Sequence, residues 1–543
     1  MTKKSLLKGA AVMAVAGIIV KVLGAFFRIP LANMIGAVGM ANYTPAYALY
    51  SFLLVVSTAG LPVAISKMVS ERCAKGQFRE AERVFRISRR LMMVLGVTGF
   101  LVLLIFGKHI AELIDIPGSA LSMKATAIAL LLVPVMSSYR GYFQGMQEMR
   151  PTAISEIAEQ SFRVLFGLVL AYSLIANEYS IASGYTPEQR GAAGGCFGAS
   201  AGAIGGLAVM LIVYMAAKKK IKLRIKNDRT SVYETAGMIL KKIAVIAIPI
   251  TIGAAIMPIV NLIDAGIVKV RLMASGWESA AAESLYGQLT GFASPIIQFP
   301  EVFMLAIVMS LVPMVSASHS VGDREELHNH ISLGLRMTTI IAFPASTGIF
   351  VLAEPILTLL YASQKASAIA AAPCLQIFAV GFVFLSIITT MTGALQGIGK
   401  QHIPVINLCV GVIAKFVVTW TLTAIPEINV KGAAIGSASA YLIAMILDLI
   451  ALKKYSGVKF DAAVAVKKPL ISSVVMGLIV LLLYRFSSML TGSSSISTVI
   501  SIFAGVVVYG LMILKTKAIS RDELMTISAG RKLTAICDKL KLW

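Results

Sequence analysis

Apolar runs of about 18 to 25 residues recur along the whole chain, and they decide most of what it can become. A helix needs about 20 such residues to cross some 30 Å of hydrocarbon. In lipid, only helices and closed barrels satisfy their own backbone hydrogen bonds. Read as helices, the runs fall near 8–35, 42–68, 87–107, 120–143, 152–176, 191–217, 237–268, 284–316, 331–353, 366–395, 402–424, 431–452, 468–488 and 496–514. The expected fold is therefore all-α and integral to the membrane, with about fourteen transmembrane helices and no room for a separate soluble domain. Charge is scarce, at 14% of 543 residues, where soluble domains carry roughly 25%. Met1 to Lys8 is basic, but the apolar segment runs past Lys21 to Ile35 without a small-residue cleavage site. It reads as the first membrane helix rather than a removed signal.

The net charge of +23 would suggest nucleic acid in a soluble protein, but the positions of the charges say otherwise. Lys and Arg collect in alternate loops: at the N-terminus, from Lys67 through Arg90, from Lys218 through Arg229, from Lys453 through Lys468, and in the tail from Lys515. That is the bias of cytoplasmic segments, and it places both termini in the cytoplasm of a multi-pass membrane protein. Aromatic interleaving and a Gly-rich phosphate loop are both missing, so nucleic acid is not an expected partner. The five cysteines show no CxxC spacing, so neither a disulfide framework nor a metal site is expected, and no cofactor is implied.

Two segments resemble each other. Tyr139–Gln147 aligns with Met391–Gly399, matching Gly141 to Gly393, Gln144 to Gln396 and Gly145 to Gly397 at an offset of 252 residues. The same offset carries Arg163 in helix five onto Lys415 in helix eleven. Leu61-Pro62-Val63 likewise resembles Val312-Pro313-Met314, each followed by a charged loop containing Gly76 or Gly322. Two parallel six-helix lobes are expected, 1–217 and 237–453, joined by a basic linker at 218–236. Two extra helices follow within 454–515, then a basic tail at 516–543. Transporters of this build bind substrate between lobes.

A charge at bilayer depth costs about 2.5–3.5 kcal/mol on insertion scales, so it normally faces protein or a water-filled cavity. Helix one carries Lys21 and Arg28 with Gly24 between them, spaced to share one face. Two cations about 10 Å apart along the axis suit spaced negative charges such as a pyrophosphate. Arg163 and Lys415 are further membrane cations, although Glu159 stands four residues from Arg163 and offers it a purely structural pair. Helix seven carries Asn261 and Asp264 after Pro249 and Pro258, and helix eight carries Gln298 and Glu301 around Pro295 and Pro300. Broken helices of this kind mark transport sites and hinges. The candidate substrate-binding residues are thus Lys21, Arg28, Arg163, Lys415, Asn261, Asp264, Gln298, Glu301, Gln144 and Gln396. Asp264 could also hold a coupling cation. The run Lys218–Arg229 suits anionic headgroups, and Ser520–Trp543 has the pattern of an interfacial helix.

Lys21–Asn33, Ile35–Gly39 and Ser57–Lys67 closely resemble the polysaccharide-biosynthesis branch of the multidrug/oligosaccharidyl-lipid/polysaccharide exporters. Within that branch they look most like the Gram-positive stage V sporulation protein B and lipid II flippase group. The resemblance covers essentially the whole chain. It implies a fourteen-helix, two-lobe fold with a central cationic cavity. It further implies movement of lipid II, or a related undecaprenyl-pyrophosphate saccharide, between leaflets for peptidoglycan or polysaccharide synthesis. The basic pair important in that group falls here on Lys21 and Arg28. The chain departs from Gram-negative members, which carry an Arg early in helix eight where this sequence has Ser294-Pro295. The expected partners are a lipid-linked oligosaccharide and membrane lipids. The oligomeric state is open, a monomer being sufficient, and a coupling cation or the membrane potential would supply any bias. A drug or cation antiporter on the same fold would want an acidic cavity. A membrane polymerase or ligase would want a large external loop with catalytic residues, and every external loop is short.

Overall fold

The computed structural model describes residues 3–176, 184–228, 230, 233–458 and 463–518. The expected interfacial helix at Ser520–Trp543 lies outside them. Among the described residues there is no strand. Of the stretches among the described residues, thirteen are long and apolar enough to cross a membrane, and the first, Val15–Ala74, covers two of the expected spans. The chain forms two compact units, Met1–Met273 with Trp277–Gly291, and Ala274–Gly276 with Phe292–Trp543.

The first unit begins with α1 (Lys3–Thr58), a 56-residue helix interrupted at Gly36, where φ is 64° and ψ is −170°. A side chain there would be strained, and glycine adopts the conformation freely. α2 (Leu61–Ala74) starts with Pro62 in its first turn, a place where the missing N–H costs nothing. α3 (Phe78–Leu113), α4 (Ser119–Gly145), α5 (Arg150–Ala176) and α6 (Pro187–Lys226) follow. The basic residues from Lys218 to Lys226 continue α6 rather than leaving it. α7 (Ala236–Ala274) and the short α8 (Ser279–Gly287) complete the unit.

Small residues let these helices approach closely, as in other membrane bundles. Gly194, Gly198, Gly202 and Gly206 form a stripe along α6. A Cβ on Gly198 would stand 2.7 Å from the Arg163 carbonyl oxygen on α5, and one on Gly202 would stand 2.6 Å from that of Glu159. Gly141 and Gly145 on α4 press against α2, at Pro62 and Val69 respectively.

The second unit repeats that pattern. Its helices are α9 (Ser294–Val321), α10 (Arg324–Val351), α11 (Ala353–Leu360), α12 (Lys365–Gly397), α13 (His402–Leu422), α14 (Lys431–Ser456), α15 (Lys468–Thr491) and α16 (Ser494–Lys515). Gly393 and Gly397 on α12 press against Val308 and Val315 of α9, as Gly141 and Gly145 press on α2. The sequence repeat is therefore a repeat of helix contacts. The core joins Leu311, Val315, Ile331, Met391 and Leu395 from α9, α10 and α12. α15 and α16 pack on α10 and α11 through Met476, Val480, Leu352 and Tyr509.

The irregular segment before α9 differs from expectation in its position. Pro295 sits in the first turn of α9, where it is tolerated. The break lies just upstream, in a π-helical turn at Gln288–Ala293. Wide turns of this kind are often found at functional sites.

Candidate cationic site

In the first unit, the part of α1 beyond Gly36 carries tyrosines at 43, 47 and 50, spaced by four and three residues and so stacked on one face. Tyr43 and Tyr47 lie ring over ring at 5.7 Å, and Tyr47 meets Tyr50 at 5.5 Å. This stripe receives Arg163 from α5. Arg163 Nη1 donates to the Tyr47 hydroxyl at 2.9 Å, and Nη2 donates to that of Tyr43 at 3.2 Å. The guanidinium also sits 4.6 Å from the Tyr47 ring centre and 5.4 Å from that of Phe27. Both distances lie within the range where aromatic faces attract a cation.

The structural alternative, a Glu159–Arg163 pair within α5, does not form. Glu159 Oε2 instead accepts from Arg140 Nη2 of α4 at 2.8 Å. Arg140 also donates to Ser155, whose hydroxyl donates in turn to the Gly206 carbonyl. Arg163 is left with neutral hydrogen-bond partners, and its Nε is buried without one. A phenol that accepts from a guanidinium still has its own proton to donate. The cage therefore presents one full positive charge and, at the half-buried Tyr47, an O–H donor, a combination that suits an oxyanion.

Arg28 is half-buried on α1, and its charge and that of Arg163 both act on the Tyr43 hydroxyl. Gly24 faces α5, where a Cβ would stand 3.3 Å from the Gln160 amide nitrogen. Lys21 is exposed on the same helix and forms no ion pair among the described residues. Asn261 is exposed and Asp264 half-buried on α7, where the Asp264 charge acts on the buried Tyr286 of α8. Gln144 is half-buried near the end of α4.

The remaining candidates belong to the second unit. Lys415 on α13 is 2% exposed, and its carbonyl lies against Gly436 of α14, as that of Arg163 lies against Gly198. The repeat thus places both cations at equivalent helix contacts. Gln298 and Gln396 are exposed and Glu301 is half-buried. Among the described residues, no group of three or more His, Cys, Asp or Glu could hold a metal ion.

Sequence reasoning passed over the tyrosines. Their spacing was the available signal, but a phenol in a membrane helix carries no penalty comparable to a charge, so a search for costly residues misses it. It also passed over a second cluster. Lys269 of α7, 2% exposed, lies 3.4 Å from Glu283 of α8 and 3.8 Å from Asp115, and Asn42 of α1 donates to Glu283 at 2.5 Å. This cluster fastens α7 and α8 to the preceding helices.

Comparison with known proteins gives the family and the fold. The chain matches the polysaccharide biosynthesis protein family over residues 6–319 and the MatE family over 289–421. It is similar to the lipid II flippase MurJ of Bacillus subtilis, at 28% identity over 88% of each chain. It is also similar to stage V sporulation protein B of the same organism, at 24% identity over 97% of this chain and 98% of that one. The fold resembles a solved inward-closed lipid II flippase MurJ with a TM-score of 0.69, at 16% identity over 92% of this chain and 97% of that one. The relatives are transporters and flippases rather than enzymes. With fourteen expected spans, a repeated helix packing and a matching family model over more than half its length, the chain belongs to the polysaccharide biosynthesis protein family of multi-pass membrane transporters.

Proposed function

We propose that this transporter flips an undecaprenyl-pyrophosphate-linked saccharide across the cytoplasmic membrane, with lipid II for peptidoglycan synthesis as the leading substrate. The observation that carries the reading is Arg163, half-buried in a membrane bundle yet held by two phenols instead of a carboxylate. A desolvated cation without a counter-charge is costly, and an arriving pyrophosphate would offset that cost. The Arg28 charge acts on Tyr43 of the same cage and supplies the second charge. The similarity to lipid II flippase MurJ supports the substrate class.

In this mechanism the headgroup enters between two lobes, 1–217 and 237–453, and is met by Arg28 and Arg163, with Lys21 at the entrance. Asn261, Asp264, Gln298, Glu301 and Lys415 are proposed as further contacts to the saccharide, with Gln144 and Gln396 at equivalent places in the repeat. The polyprenyl tail stays in lipid while the lobes rock. A cation at Asp264 or the membrane potential biases the return of the empty carrier. A cationic drug would find this basic site repulsive, which argues against antiport of such compounds.

The test is flipping of fluorescent lipid II by the purified chain in vesicles, beside Arg28→Gln and Arg163→Gln. Wild-type flipping that both variants lose at least tenfold supports the reading. Flipping that survives both substitutions removes the cationic site. If wild type moves another undecaprenyl-pyrophosphate saccharide and not lipid II, the mechanism stands and the substrate is corrected.

A further inference from the structure

A second basic site lies away from the cage, where the end of α2 meets the start of α7 within the first unit. It is a cavity of about 390 Å³ walled by Lys67, Arg72, Lys75, Lys241 and Lys242, against the carboxylates of Glu71 and Glu234. Glu234 is already engaged, by Arg72 Nη2 at 2.7 Å and Lys242 Nζ at 3.0 Å. Lys67, Lys75 and Lys241 are exposed and hold no ion pair among the described residues. Arg72 is 4% exposed, and its Nε is buried without a partner. The site therefore carries cations in excess of its acids, one of them held rigid by burial.

Its other wall is apolar. Val245 and Ile246 line the cavity. Val245 belongs to a stripe of exposed residues along α7, namely Met238, Val245, Ile248 and Ile252, at 51%, 68%, 56% and 63% exposure. Their spacings of seven, three and four residues put them on one face. A cationic cup at the head of an apolar helix face has the polarity of a phospholipid. A free phosphate would use the cup and leave the stripe unused. Charge bias assigns this end of the bundle to the cytoplasmic leaflet, the side rich in anionic lipid.

We propose that this pocket binds the phosphate headgroup of an anionic glycerophospholipid, with an acyl chain lying along the Met238–Ile252 face of α7. The lipid is a ligand of the protein and is separate from the transported substrate. The site does not depend on the flippase reading.

The experiment uses a photoactivatable phosphatidylglycerol in vesicles containing the full chain, with crosslinked peptides mapped by mass. Crosslinks are expected within Met238–Ile252. They should fall at least fivefold in Lys67→Gln/Lys75→Gln/Lys241→Gln and persist in the corresponding triple Arg variant. These lysines are exposed, and the Arg variant controls for folding. A photoactivatable phosphatidylcholine should label the segment no more strongly in wild type than in the Gln variant. Four results would overturn the proposal: no wild-type crosslink in that segment, equal labelling in the Gln variant, loss in the Arg variant as complete as in Gln, or displacement by millimolar soluble glycerol phosphate. The last would identify a free-phosphate site.

Discussion

Arg163 and Glu159 stand one helical turn apart on α5, yet each takes its partner from another helix. Helix geometry permits the internal pair, but an exposed pair of that kind is worth only about 0.3–0.5 kcal/mol. Packing against α1 and α4 decides the matter instead. Tyr43→Phe with Tyr47→Phe removes both hydroxyls and leaves the rings in place. It should reduce lipid II flipping severalfold, measured in vesicles, while purification yield stays near wild type. Glu159→Gln should act differently, because it removes the charge paired with Arg140 while sparing the cage. Its expected effect is a lowered thermal midpoint in detergent, from a loss of about 1–3 kcal/mol, with residual flipping by the folded fraction.

At the scale of elements, close contact is built from small residues and fastened by a few buried polar groups. Gly198→Leu would drive a side chain into the α5 backbone at Arg163 and Gly167. Overpacking of this kind costs about 1–3 kcal/mol, and detergent thermal melting should show the loss together with disturbed flipping. Glu283→Ala would leave Lys269 buried beside a more distant Asp115. Removing one member of a buried pair costs about 3–5 kcal/mol, so this variant should melt well below wild type. The tie between α2 and α7 carries a pH dependence. Burial pushes the Glu234 carboxyl up, but hydrogen bonds and charge from Lys242 and Arg72 more than offset this and hold it below its ordinary value. Its contribution is present above the unfolded carboxylate range, about pH 4.3, and is lost as pH falls through the lower folded value. Glu234→Gln should flatten the acid limb of stability against pH, read from midpoints between neutral pH and about pH 3.

For the whole molecule, the spans come from composition, whereas the site comes from contacts. Fusions of a cytoplasm-active fluorescent protein to either terminus should both glow. A periplasm-active phosphatase placed there should stay silent, and a reversed result at either end would break the expected topology. The repeat was legible because Gly141 and Gly393, like Gly145 and Gly397, serve the same contact in each unit. A backbone touching another helix tolerates no side chain, so such glycines leave a trace in sequence. The break in the segment before α9 was only half legible. Prolines drew attention to it, while the backbone departs from α-helix a turn earlier, at Gln288–Ala293.

The sequence by itself determined the apolar spans, the alternation of basic loops, and which residues carry charge at membrane depth. Each of these depends on local composition against a hydrocarbon layer of known thickness. Only the tertiary structure decided what those charges meet. Arg163 and Tyr47 are 116 residues apart, and Lys269 and Asp115 are 154 apart. No local periodicity encodes such meetings. They follow from how closely glycine-striped helices approach, which sets the side chains that come within hydrogen-bonding reach.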